Sequence, residues 1–368
     1  MIKVTGKGNI SATIIAHSKS AVNGKEIITY ELEYHRFIHS EFMTHRTFSR
    51  NAASSRAIPV SKMIDLVRTS PASPIHWGKN QAGMQASEEC DNKLFSNLYA
   101  NILDGAEGSK YKEVWIELLG KTREQVWGEG VHSAIICAEK FNSAGYHKQI
   151  TNRLLEPFQT IKVVVTATEW DNFFWLRFHK AAQPEIQELA RCMLVAKKRS
   201  VAEVLNVGEW HTPYVDHWRD DSGGLMYGVK VDKEDKNYPI QWLNWVDALK
   251  VSASCCAQVS YRKTDDSLEK AGKVWEMLTT DERIHSSPTE HQATPLSMDF
   301  FCFDCQKDGG ESWEQGVTHL DKQGNFWSNN FCGWIQHRAL IANNNCTSFD
   351  YGQEIDETGL VITDNKET

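Results

Sequence analysis

Apolar and polar residues alternate along two stretches near the start of the chain. Residues 10–16 (ISATIIA) and 26–34 (EIITYELEY) read as strands. In the second, Ile28, Tyr30, Leu32 and Tyr34 alternate with Thr29, Glu31 and Glu33, the period of a sheet with one buried face. Asn23-Gly24 between them fits a hairpin turn. Residues 161–167 (IKVVVTA) are a short β-branched run and predict a further strand. Over residues 184–205 the period becomes helical: Pro184 suits the first turn, and Ile186, Leu189, Ala190, Met193 and Leu194 form an apolar stripe. Leu268, Ala271, Val274, Trp275 and Leu278 repeat that pattern, and QWLNWVDALK ahead of them restarts helical order. Residues 85–104 and 110–142 also read as helices, from the spacing of Val114, Leu118, Val126 and Ile135, with Gly120, Gly128 and Gly130 weakening the middle. These elements predict a mixed α/β (α+β) fold in which a mostly antiparallel sheet is flanked by helices.

Composition narrows the class. With 368 residues, 41% hydrophobic and 24% charged, the chain fits a soluble globular protein of one large or two ordinary domains. The formal net charge of −8 argues against binding long nucleic acid, where a basic face dominates. No stretch approaches the roughly 20 apolar residues that span a bilayer, and MIKVTGKGNISATIIAH lacks the apolar core of a signal peptide. The nine cysteines are odd in number and scattered, which reads as free thiols in a reducing cytoplasm. Cys302 and Cys305 form a CxxC, but a zinc site wants four ligands. Cys255, Cys256 and His291 would complete one only by accident of the fold, so no metal is expected. The segment NNNCTSFDYGQEIDETGLVITDNKET is acidic with little apolar pattern, the composition of a disordered tail.

Against this acidic background one stretch stands apart. Residues 41–59 read EFMTHRTFSRNAASSRAIP, and no acidic residue falls between Glu41 and Asp65 while Arg46, Arg50, Arg56 and Lys62 do. A helical segment would place His45, Ser49, Ala52 and Arg56 on one face, with Asn51, Ser54 and Ser55 to one side. Hydroxyls, an amide and guanidinium groups are the donors a phosphate ester needs; the plainer alternative is a solvated polar helix. Arg177 lies among Phe173, Phe174, Trp175 and Phe178, a setting that partly desolvates a cation. Trp77, Asn80, Gln81 and Gln85 either line a pocket over a flat ring or form a surface loop anchored by one Trp. No GxGxxG occurs. No cysteine has a recognisable activating setting, and Ser54 lacks a base at triad spacing, which leaves chemistry to a cofactor.

The string HRTFSRNAASSR resembles the signature of the flavin-dependent thymidylate synthases, Arg-His-Arg, two residues, Ser, one residue, Asn, two residues, Ser, one residue, Arg. His45, Arg46, Ser49, Asn51, Ser54 and Arg56 match in register; Thr44 stands where the family has Arg. A second block, residues 145–190, resembles the family's C-terminal region through Arg153, Asn172, Arg177, Gln183 and Glu185. A third, residues 252–296, resembles what the family carries near its N-terminus, through the VSY turn and Ser287, Pro288, Glu290 and His291. GWIQHR (residues 333–338) then reads as a weaker copy of EFMTHR. The resemblance covers roughly half of the residues in three patches out of the usual order, as in a rearranged or partly duplicated member.

The resemblance implies a fold like the thymidylate synthase-complementing proteins, and a map of residues 1–205 as catalytic region, 206–250 as connecting insertion, 251–345 as second family-like segment and 346–368 as acidic tail. It implies methylation of dUMP to dTMP, with FAD as cofactor, methylenetetrahydrofolate as carbon donor and NADPH as reductant. Arg177 would be catalytic and engage the uracil. Glu41, Ser54, Ser55, Arg56 and Arg153 would bind the nucleotide with it. Thr44, His45, Arg46, Asn51, Asn172, His291, Gln336, His337 and Arg338 would surround the flavin. Self-association with shared active sites, as a homotetramer or a dimer, is implied too. Thr44 for Arg, Glu41 for Gln and Ala52 for Glu depart from the family. They leave open one-carbon transfer to another pyrimidine nucleotide such as dCMP, by methylation or hydroxymethylation, and a non-catalytic nucleotide- or flavin-binding homologue.

Overall fold

The alternation in residues 26–34 becomes the spine of a six-stranded sheet. The computed structural model describes residues 1–83, 86–90, 94–102, 110–117, 121–230, 239–260, 265–280, 284–297 and 313–346. In chain order these hold β1 (Ile2–Thr5), β2 (Ser11–Ser20), β3 (Glu26–His35), the short helix α1 (His39–Phe42), β4 (Ser49–Ala52), α2 (Val60–Thr69), β5 (Phe95–Ile102) and β6 (Lys110–Glu117). There follow α3 (Arg123–Ser143), α4 (Lys148–Thr151), β7 (Thr160–Ala167), α5 (Asp171–Arg177), α6 (Pro184–Arg199) and β8 (Glu203–Leu205). The second half holds β9 (Asp216–Arg219), β10 (Leu225–Lys230), β11 (Ile240–Leu243), α7 (Trp245–Ala257), α8 (Leu268–Thr279), β12 (Ala293–Pro295) and four short strands, β13 (His319–Leu320), β14 (Phe326–Ser328), β15 (Phe331–Cys332) and β16 (Trp334–Gln336).

The main sheet has the order β1-β2-β3-β7-β4, all antiparallel, while β8 runs parallel to the end of β2. The expected mixed fold with a mostly antiparallel sheet and flanking helices is the one observed. On one face Ile28, Tyr30, Leu32 and Tyr34 join Val163, Val165 and Ala167 beneath Ile186, Leu189 and Met193 of α6 and the rings of Phe42, Phe48, Trp170 and Phe173. Each large side chain buried there contributes about 1.5–3 kcal/mol relative to exposure.

The opposite face is covered as well, where the alternation predicts a polar surface. Ile27 packs with Leu205, Ala293, Phe331 and Trp334, and Val164 with Cys256 and Val259. Polar residues survive on that face because they satisfy one another: the Thr29 and Thr166 hydroxyls lie 2.6 Å apart across β3 and β7, and Tyr214 donates to Glu31 at 2.9 Å. A buried hydroxyl that finds its partner avoids the desolvation penalty that would otherwise expel it.

Four local expectations are corrected. Residues 41–59 are not helical: α1 stops at Phe42, and Ser49–Ala52 pair with Val163–Thr166 at the sheet edge, so the face through His45, Ser49, Ala52 and Arg56 does not form. Within 85–104 and 110–142, residues 95–102 and 110–117 form an antiparallel hairpin, and only the stretch from Arg123 is helical. Helix α3 starts there because Thr122 and Gln125 close a capping box. Helix α6 ends at Arg199 rather than 205: three cations crowd its last turn, Ser200 is extended, and the β-branched Val204 enters β8. Gln85, Tyr261 of the VSY turn, Cys302, Cys305, the DKEDK run and residues 347–368 lie outside the described residues. No described helix is long and apolar enough to cross a membrane.

Candidate functional site

Beyond β3 the chain turns through α1 and delivers Glu41, Thr44 and His45 to the C-terminal end of α5, where a cation is favoured by the helix end. Arg177 lies there, bound on three sides. Its Nη1 is ion-paired with Glu41 Oε1, its Nε donates to His45 Nε2 at 2.9 Å, and its Nη2 donates to Thr44 Oγ1 at 3.3 Å. Thr44 donates its own proton to the Glu41 carbonyl at 2.7 Å. The His45 ring stands edge-on to Phe173, 4.9 Å between centroids, and stacks near Phe48 at 5.7 Å. Burial, then the Arg177 and Arg50 cations, push the His45 pKa down to about 4. His45 is therefore neutral at pH 7, with Nε2 bare to accept from Arg177 and the proton on Nδ1. Arg50 reaches back from β4 to the carbonyls of Met43 at 3.1 Å and His45 at 3.0 Å, which closes this turn.

A second group gathers on the buried face of β4. Asn51 meets His291 Nε2 at 3.2 Å, and His291, wholly buried, reaches the Thr166 hydroxyl through Nδ1 at 2.8 Å. Burial pushes the His291 pKa down to about 3. Gln336 Nε2 lies 3.2 Å from both Ser49 Oγ and the Glu290 carbonyl, and its Oε1 accepts from Asn329 at 2.8 Å, so its amide is engaged within the protein. Arg338 is ion-paired with Glu290.

A third group lies beyond the other end of β4. The Asn152 Nδ2 donates to the Ser55 carbonyl at 2.7 Å and the Ile58 carbonyl at 2.9 Å. Arg56 and Arg153 each follow directly on a residue of the Ser55–Asn152 pair. Ser55 is buried, whereas Ser54, Arg56 and Arg153 are exposed. Among the described residues the side chains of Arg46, Arg56, Arg153 and Asn172 carry no hydrogen bond or ion pair, which leaves their donors available to a ligand.

Some expected neighbours lie elsewhere. His337 stacks on Trp275 with centroids 5.9 Å apart and meets the edge of Trp210 at 5.6 Å, away from the Arg177 turn in its contacts. Trp77 packs on Trp127 and beneath the Arg123 guanidinium. A cleft of about 1160 Å³ opens beside α6, lined by Lys7, His76, Trp127, Lys180, Glu188 and Arg191 among others, with Gln183 and Glu185 of the second motif block but none of the residues expected to bind nucleotide or flavin. Phe178, next to Arg177, reaches its rim. The described cysteines form no disulfide, and no described cluster of His, Cys, Asp and Glu could hold a metal.

No family model and no curated protein matches this chain. Among solved structures it is similar to a UMP/dUMP methylase, PolB from Streptomyces cacaoi, bound with 5-Br UMP. That likeness covers 52% of this chain and 89% of the other, at 13% sequence identity and a TM-score of 0.34.

Sequence reasoning missed Arg50, Thr29, Thr166 and His211 as parts of the site's support. Thr29 was readable only as a solvent-facing position of an alternating strand, and Thr166 only as one more β-branched residue. His211 sits in GEWHTP, within the stretch expected to connect, yet it is wholly buried and bonds Thr29 through Nε2 at 2.9 Å. The available signal was weak: a threonine in each of two neighbouring strands, and a histidine beside a tryptophan.

Proposed function

We propose that this chain is a flavin-dependent enzyme that transfers one carbon to C5 of a pyrimidine nucleotide. The reading follows the family pattern: dUMP is converted to dTMP, methylenetetrahydrofolate supplies the carbon and NADPH the reducing equivalents. The observation that carries it is the meeting of Glu41, Thr44 and His45 with Arg177. Two separately recognised motifs, far apart in sequence, converge on one guanidinium.

The residues fit an anionic, flat cofactor. His45, neutral and flanked by aromatic rings, offers an apolar wall, and Arg46 and Asn172, next in the chain to His45 and Phe173, add donors that no described residue engages. Those three, with Thr44 and Asn51, would hold FAD; the buried His291, with Gln336 and Arg338, would support the wall behind it, while His337 packs apart on Trp275. When bound, the flavin supplies the redox chemistry and the carbon-carrying centre. The protein's share is orientation and charge. Arg56 and Arg153, with Ser54 and Ser55, would take the nucleotide phosphate by charge-assisted hydrogen bonds. Arg177 would grip the base edge, where a guanidinium favours negative charge at N3 and so enriches C5. Assembly of the chain into dimers or tetramers with shared sites belongs to the same proposal.

One observation favours a second reading. Glu41 neutralises Arg177 directly, which weakens support for an anionic uracil and offers an acceptor to an exocyclic amino group. A cytosine nucleotide such as dCMP presents that amino group. The experiment is a product assay of purified protein with FAD, NADPH and methylenetetrahydrofolate, given dUMP and dCMP in turn. A yellow protein that forms a C5-substituted nucleotide supports the proposal. A colourless protein that neither takes up flavin nor binds either nucleotide sinks it.

A further inference from the structure

Six side chains form an unbroken relay behind β4, five of them buried. Asn51 meets His291 Nε2 at 3.2 Å; His291 Nδ1 meets Thr166 Oγ1 at 2.8 Å; Thr166 Oγ1 meets Thr29 Oγ1 at 2.6 Å. From Thr29 the relay continues to His211 Nε2 at 2.9 Å, and from His211 Nδ1 to Ser18 Oγ at 2.8 Å. His291, Thr166, Thr29 and His211 have no solvent exposure, and Ser18 is 2% exposed. At this burial an unpaired polar group along it is costly.

The Asn51 amide sets its direction. One end of that amide lies 3.3 Å from the Ser287 carbonyl and 3.1 Å from the Arg50 carbonyl. Carbonyls only accept, so that end is the NH2. The same nitrogen faces His291 Nε2 at 3.2 Å, so Nε2 must be bare and the His291 proton sits on Nδ1. His291 then donates to Thr166, and Thr166, with one proton left to place, donates to Thr29. Thr29 donates to His211 Nε2, and His211 carries its proton on Nδ1, donated to Ser18. Each hydroxyl has one proton and two acceptor lone pairs, and this order gives every buried proton from His291 to His211 a partner.

We infer that Asn51 is a positioning residue: its amide, turned by the Ser287 and Arg50 carbonyls, holds His291 as its Nδ1–H tautomer and so sends the relay inward through Thr166 and Thr29 to His211. The inference stands whether or not the proposed flavin binds, since it concerns the protein alone.

Nitrogen-15 NMR of histidine-labelled full-length protein at pH 7 tests it without any ligand, by reading which ring nitrogen carries the proton. His291 and His211 should both show a protonated Nδ1 and a bare Nε2, the less common neutral form. Asn51→Asp keeps the size of the side chain but presents only acceptors to His291 Nε2. Its His291 Nε2 should therefore gain a proton. Thr29→Val, two links away and touching neither His291 nor Asn51, should leave His291 as Nδ1–H, and serves if Asn51→Asp does not fold. A wild-type His291 or His211 that is Nε2–H or doubly protonated overturns the inference. So does an unchanged His291 in a folded Asn51→Asp protein, or a switched one in Thr29→Val, which would move control of the tautomer from Asn51 to the relay.

Discussion

A guanidinium carries five N–H donors, and at Arg177 three of them are engaged by His45, Glu41 and Thr44. One hydrogen on each terminal nitrogen remains, which is the pair a base edge would need. Glu41 is the partner that decides what kind of edge fits, because it alone of the three is charged. Replacing Glu41 by Gln keeps the shape and an acceptor oxygen but removes the negative charge. Arg177 is then uncompensated, and an anion or a carbonyl at the pyrimidine C4 edge becomes more acceptable. The Glu41→Gln enzyme should shift its preference towards dUMP over dCMP by about tenfold, which corresponds to about 1.4 kcal/mol. The ratio of kcat/KM for the two nucleotides measures this. An unchanged ratio would detach Glu41 from the base.

Elements matter to the site mainly where one pins another. The segment 54–58, between β4 and α2, is tied to the turn after α4 by Asn152 through two buried hydrogen bonds, 2.7 and 2.9 Å long. Asn152→Ala strands both the Ser55 and Ile58 carbonyls and should cost about 1–3 kcal/mol, read as a lower urea midpoint at unchanged slope. Because Arg56 and Arg153 flank that tie, phosphate affinity should weaken along with stability; a variant as stable as the parent would show that the tie is not structural. The sequence was most legible where one period dominates: β3, β7, the start of α6 and α8 lie where alternation or helical spacing predicts them. It was least legible where pairing between distant segments decides. Ser49–Ala52 have the composition of a polar helix, yet the exposed edge of β7 draws them into a strand. Residues 95–102 and 110–117 offer short ambiguous runs in which the apolar residues can be counted either way. The Arg177 turn could be anticipated only as two unconnected motifs; its hydrogen bonds depend on the path through α1, which no local pattern encodes.

Across the whole molecule, the second half of the chain converts an ordinary half-buried sheet into one covered on both faces, and it does so by burying histidines. This has a consequence for acid stability. His45, His211 and His291 are 8%, 0% and 0% exposed, and burial is the first cause of a lowered pKa in each: to about 4 for His45, to about 3 for His291, and well below the usual 6.5 for His211. In the unfolded chain all three bind protons near pH 6.5. Their contribution is therefore fully present above that pH and is lost as the pH falls towards the folded values, because only the unfolded state takes up the protons. Between about pH 6 and pH 4 three such groups give a slope of about 4 kcal/mol per pH unit, at about 1.4 kcal/mol each. Few domains hold a reserve much above 5–15 kcal/mol, so unfolding should set in at mildly acidic pH, before most carboxylates are protonated. Urea midpoints taken at half-unit steps from pH 7.5 to 4.5 should stay level down to about pH 6.5 and then drop steeply. A profile that remains flat to pH 4.5 would mean that these histidines are solvated, and the buried relay behind β4 would then have no dry interior to run through.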